Sequence, residues 1–110
     1  DNVIGKITLS QNPVFINSGG TATLQFSSTY GTTCTLFDNE RLHYINSQGE
    51  LTSYKFGYDT GEALNIGTSG TLNLRPQKTN YYQLNCYDAD GRSPAGSVIF
   101  IRVIVDGKLN

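Results

Sequence analysis

Two short alternating runs, each carrying one cysteine, constrain this chain more than any other feature. Thr32-Thr33-Cys34-Thr35-Leu36 and Tyr81-Tyr82-Gln83-Leu84-Asn85-Cys86 both alternate with period two, the signature of strands. The second run leads through Asp88-Ala89-Asp90-Gly91 into an apolar stretch from Ser97 to Val105. The two cysteines are the only ones in the chain, and their wide separation is unlike the close paired spacing of a zinc site. A single histidine, His43, leaves no set of four ligands, so a Cys34–Cys86 disulfide is the favoured reading. Closing a loop of that size stabilises a domain by roughly 3–5 kcal/mol in the chain-entropy picture. Such bonds persist in oxidising compartments, which points to a secreted or cell-surface protein. The alternative is two reduced, buried thiols acting as small hydrophobes in a cytosolic domain.

The rest of the chain has the same periodicity. Ile7 and Leu9, with Ile4 before them, make a first strand that is broken at Asn12-Pro13, because proline cannot donate to a ladder. Val14-Phe15-Ile16 is expected to continue it on a second sheet, and Ser18-Gly19-Gly20 to turn the chain. Ala22, Leu24 and Phe26 alternate with Thr23, Gln25 and Ser27, the pattern of a strand with one face on a core. Across 38–70, Leu42–Ile45 and Leu51–Phe56 are expected to pair as a hairpin over the polar turn between them. Thr71–Leu74, Tyr81–Tyr87 and Ser97–Val105 complete the strands. Tyr82, Leu84 and Cys86 share one face by period two, which makes Tyr82 the core tyrosine. The 110 residues suit one all-β domain over 1–110, an antiparallel β-sandwich of about seven to nine strands.

Charge and motif content exclude several function classes. Eight basic and nine acidic residues are scattered, for a net charge of −1, so there is no electrostatic footprint for nucleic acid or an anionic membrane. No apolar run is long enough for a membrane-spanning helix, and Asp1 is expected to be a processed or excised end. His43 has no partners in sequence that assemble a catalytic triad, and its expected place is an exposed edge strand. Asp88 and Asp90, with Gly91, resemble the opening of a calcium loop but lack the later bidentate glutamate, so a hairpin turn is expected there in preference to a metal site. Asp38, Glu40, Glu50, Asp59 and Glu62 in the middle segment are not spaced in a way that predicts a hydrolytic pair. No cofactor and no enzymatic activity are expected. Seven tyrosines without a tryptophan suggest contact platforms. Tyr44, Tyr54 and Tyr58 fall in the middle segment, and Tyr30 and Tyr87 beside the cysteines.

Taken in order, Asn12-Pro13, Ser18-Gly19-Gly20, Thr33-Cys34-Thr35, Asn80 to Cys86 and Asp90-Gly91 before a Val/Ile-rich strand resemble the bacterial immunoglobulin-like domains. The resemblance spans nearly the whole chain, with two departures: Phe26 stands where such domains often carry Trp, and 38–70 is long. It implies that the third and sixth strands are antiparallel neighbours in one sheet, with Cys34 at the start of one and Cys86 near the end of the other. It also implies that the Tyr82 hydroxyl bonds backbone, as the corner tyrosine of immunoglobulin-like sandwiches does. It further implies a non-catalytic accessory or structural module of an extracellular or virion protein, acting by protein contact or adhesion. Two other roles are open: a carbohydrate-binding module using the tyrosines of 38–70, and a self-assembling filament or capsid-decoration subunit. In the latter, residues 1–10 or 97–110 would add a strand to a neighbour.

Overall fold

The computed structural model describes residues 6–38, 43–54, 65–92 and 97–108. Among them are nine strands: β1 (Ile7–Leu9), β2 (Val14–Ile16), β3 (Ala22–Ser28), β4 (Thr33–Phe37), β5 (His43–Ile45), β6 (Leu51–Tyr54), β7 (Ser69–Leu74), β8 (Asn80–Tyr87) and β9 (Val98–Val105). They form a three-stranded sheet, β1-β3-β7, and a six-stranded sheet, β2-β9-β8-β4-β5-β6. Two sheets in this order make a β-sandwich whose strand order follows that of the immunoglobulin fold with the extra hairpin of its variable type, with three described strands in the smaller sheet where that fold has four. That hairpin is β5–β6, where the polar turn was expected to form one.

The core lies between the sheets and follows the alternation of the strands. Ala22, Leu24 and Phe26 of β3 point inward and Thr23 and Gln25 outward. Leu72 and Leu74 of β7 join them from the same sheet. Leu36, Ile45, Leu84, Ile101 and Val103 close the core from the larger sheet. Tyr82 is buried among them, and burial pushes its phenol up to about 12. Among the described residues its hydroxyl forms no bond to backbone, which corrects that expectation: the ring is held by packing alone.

The cysteines lie directly opposite each other on β4 and β8, with Cα atoms 4.0 Å apart, and they are bonded. The Cys34 N–H donates to Asn65 Oδ1 and its carbonyl accepts from Ile66 N–H, both away from β8. Cys86 N–H donates to the Ser97 carbonyl on the far side. The two cysteines thus form a non-hydrogen-bonded pair, the position in an antiparallel ladder where facing side chains come closest. The bond fastens two strands within one sheet and does not cross the core.

The N-terminal segment serves both sheets. β1 pairs antiparallel with β3, the chain crosses at the cis Asn12–Pro13 peptide, and β2 pairs parallel with β9. Asn12 fills the gap that β2 leaves along β9. Its amide Nδ2–H donates to the Phe100 carbonyl (2.9 Å) and its Oδ1 accepts from Arg102 N–H (3.0 Å), the pair of bonds that a strand residue would make with its main chain. At the other sheet, the turn after β5 rests on the outer edge of β7, with Asn73 N–H donating to the Ser47 carbonyl (2.8 Å).

Candidate functional site

The six-stranded sheet turns one face to the core and the other away from the smaller sheet. Register assigns the outer face: Phe15 stands beside Ile104, Tyr81 beside Arg102, Gln83 beside Phe100, and Asn85 beside Val98. Four large apolar residues on it remain open to solvent: Phe15 (63% exposed), Phe100 (54%), Tyr81 (43%) and Val98 (40%). Tyr81 and Phe100 meet edge to face, with centroids 5.7 Å apart and planes at 82°, which fixes both rings. These residues sit on three adjacent strands: Tyr81 and Phe100 are in contact, Val98 is two residues from Phe100 on the same face of β9, and Phe15 stands farther along beside Ile104. The sequence did contain a signal for these exposures. The last strand is apolar at both parities, so its outward parity presents apolar side chains: Val98 and Phe100 stay exposed there, while Ile104 is buried.

The loops beside the disulfide are organised by Asp88. Tyr30 donates its hydroxyl to Asp88 Oδ2 (2.7 Å), while Oδ1 accepts from Arg92 N–H (2.8 Å) and Asp90 N–H (2.9 Å). The Arg92 and Tyr30 donors hold the Asp88 carboxyl below its ordinary value, and the bond to Asp88 in turn raises the Tyr30 phenol. Asp88 therefore shapes a turn, with Gly91 N–H closing on its carbonyl (3.0 Å), and both its oxygens are engaged by protein donors. Among the described residues no group of three or more His, Cys, Asp or Glu side chains is placed to hold a metal ion. Gly31 brings the facing loop in. Its φ is +94°, and a Cβ there would lie 2.4 Å from the Tyr87 carbonyl oxygen, so only glycine permits the approach that lets Thr32 N–H bond that carbonyl (2.8 Å).

The tyrosines singled out in the sequence fall into different settings. Tyr30 and Tyr87 come together at the disulfide end, but their polar tips are engaged. Tyr87 OH accepts from Asn85 Nδ2 (3.1 Å), and Asn85 Oδ1 accepts from Gln83 Nε2 (3.0 Å), a chain of bonds along β8. Tyr44 packs on Phe37 with centroids 5.1 Å apart. Tyr54 is placed by its backbone on β6, opposite His43, and Tyr58 lies outside the described residues, as do Glu40, Asp59 and Glu62. His43 is not on an edge strand, because β6 lies beyond it. It is partly buried, and its Nδ1 lies 3.1 Å from Asp38 Oδ2 across the β4–β5 connection. At the opposite end of the sandwich, an open pocket is lined by Lys78, Thr79, Asp106 and Lys108. Asp106 accepts there from Ser18 N–H and Oγ–H (2.9 Å each), which holds its carboxyl below the ordinary value.

No helix among the described residues is long and apolar enough to cross a membrane. No family model matches the chain, and no curated protein matches it at a significant level.

Proposed function

We propose that the chain is a non-catalytic interaction module of a secreted, cell-surface or virion protein, and that it contacts protein partners through the outer face of β2, β9 and β8. One observation carries this reading: Phe15, Tyr81, Val98 and Phe100 are exposed together on adjacent strands. Exposing large apolar side chains side by side forgoes burial worth about 1.5–3 kcal/mol for each, and contiguous patches of this kind mark contact sites. Aromatic residues also dominate the energetics of protein interfaces. The disulfide is compatible with an oxidising, extracellular compartment. Resemblance to bacterial immunoglobulin-like domains supports the same role, since those domains are accessory or structural parts of larger proteins. Association by adding a strand at β9 is less favoured, because Asn12 and β2 already occupy that edge. The glycan reading draws no support from Tyr44, which rests on Phe37.

The test is photo-crosslinking in the source organism, with a benzophenone amino acid at position 100 and, as control, at position 23 on the outer face of the smaller sheet. Adducts to protein from position 100 and none from 23 are expected. Equal labelling from both, or none from 100, would show that the face is not a contact surface.

A further inference from the structure

We infer that the outer face of the smaller sheet, on the opposite side of the sandwich from Phe100, binds a neutral polysaccharide laid flat along β3. Register sets Thr23 beside Asn73, Gln25 beside Thr71, and Ser27 between Thr8 and Ser69. These side chains share the outward parity of their strands, and every one of them is a hydroxyl or an amide. A protein surface ordinarily carries about a quarter to a third charged side chains, whereas these outward positions hold no charge, no aromatic ring and no large apolar group. Lys6 and Arg75 stand just outside the strands, one before β1 and the other after β7, at opposite ends of the sheet. The face is also uncovered: all of these residues are exposed except Asn73, which is half-buried.

This chemistry selects its ligand. Without charge the face offers nothing specific to an ionic partner, and without an aromatic or apolar anchor it lacks the groups that dominate protein interfaces. A hydroxyl both donates and accepts, and an amide does each from a different atom, so the array is matched by a ligand that presents uncharged hydroxyls at every step. A neutral sugar polymer is such a ligand. Outward side chains stand about 4.7–4.9 Å apart across the strands and about 6.6–6.8 Å apart along them. A chain lying on β3 therefore passes from Thr23 to Gln25 to Ser27 over about 13 Å, with side chains of β1 and β7 on either side. Part of the array is already fixed. Thr23 Oγ1–H donates to Asn73 Oδ1 (2.9 Å), and Ser10 Oγ accepts from Gln25 N–H (2.9 Å), which leaves the Ser10 O–H to donate to a ligand. Groups held in place before binding lose less freedom on binding. An occupant of this kind gives no protein adduct from position 23, so the inference stands or falls apart from the contact surface proposed on β2, β9 and β8.

Binding of the purified chain to immobilised polysaccharides tests the inference, with cellulose, chitin, mannan and starch as neutral polymers and alginate and polygalacturonate as anionic ones. Retention by at least one neutral polymer is expected, changing by less than about twofold when sodium chloride is raised from about 0.05 to about 0.5 M. Gln25→Ala is expected to weaken it roughly two- to tenfold, the worth of one hydrogen bond. Thr71→Glu is expected to weaken it at least about tenfold, because it places an unpaired charge beneath the ligand. Phe100→Ser, on the far side of the sandwich, should leave it unchanged. Positions 25 and 71 are exposed, and an unchanged melting temperature for each variant confirms that only binding was altered. Retention by none of the neutral polymers overturns the inference, as does binding confined to the anionic ones or abolished by salt. Binding that Phe100→Ser removes and Thr71→Glu does not would place the sugar on the other face and overturn it as well.

Discussion

Reducing the Cys34–Cys86 bond is expected to lower stability by about 4 kcal/mol without changing the folded sheet. The estimate comes from the 52-residue separation of the cysteines, through the loop-closure entropy that the bond removes from the unfolded chain. The folded state has little reason to change. The residues on either side of the pair remain in register, Thr33 with Tyr87 and Thr35 with Asn85, and reduction removes no side-chain carbon from the core. A loss of this size is a large share of the 5–15 kcal/mol typical of a domain. Equilibrium urea unfolding, with and without reductant and followed by tyrosine fluorescence, should show the midpoint falling by about 2–4 M at an m-value between 1 and 2 kcal/mol/M. The reduced chain should also have the larger m-value, because its unfolded state is more expanded. A loss below about 1 kcal/mol, or a reduced form with altered amide protection at Thr35 and Asn85, would refute the entropic reasoning.

Three further outcomes follow from single groups. Asn12→Ala removes both side-chain bonds to β9, so it should cost about 1–2 kcal/mol in urea unfolding and speed hydrogen exchange at Arg102 N–H. The Asp88 carboxyl is depressed by Arg92 N–H and the Tyr30 hydroxyl, so its contribution is present above the ordinary carboxylate value of 3.8 and is lost as pH falls through the lowered one. The stability advantage of the wild type over Asp88→Asn should therefore be seen in melts at pH 6 and vanish in strong acid. The Tyr82 phenol is raised by burial from 10.0 to about 12, so stability should decline as pH rises through that interval. Tyr82→Phe should flatten this alkaline limb in pH-dependent melts and change stability at pH 7 by less than about 1 kcal/mol.

What could be read from the sequence divides along the reach of the forces involved. The alternation of Ala22, Leu24 and Phe26 encodes a strand and its buried face locally, and the structure has both. The break at Asn12-Pro13 encodes a change of sheet for the same reason, since proline ends a ladder. Cys34 and Cys86 were placed as facing partners through the fold that the chain resembles, and the register agrees. The exposed patch was not found, because Val98 and Phe100 have the composition of a strand buried on both faces. Which parity is left uncovered depends on how many layers stack, and that is not a local property. Asp88 was ambiguous for a different reason. An Asp and Gly turn and a cation loop use the same residues, and they differ in whether the oxygens meet main-chain N–H groups or an ion. Asn12 carried no signal, since a side chain that substitutes for a strand is recognised only once the gap it fills is known.

The parallel pairing of β2 with β9 has a mechanical consequence. β2 lies near one end of the chain and β9 near the other, and the two run in the same direction. A pull applied between residues 6 and 108 loads β1 against β3 first, and past β1 it draws β2 back along its own axis and β9 forward along its own. The bonds from Val14–Ile16 to Val103–Val105, and those of the Asn12 amide, are loaded in shear and share the force instead of opening one after another. Strands peeled from an end yield bond by bond, whereas this seam must slip as a whole. Tension that reaches this seam is thus resisted where β2 and β9 lie side by side.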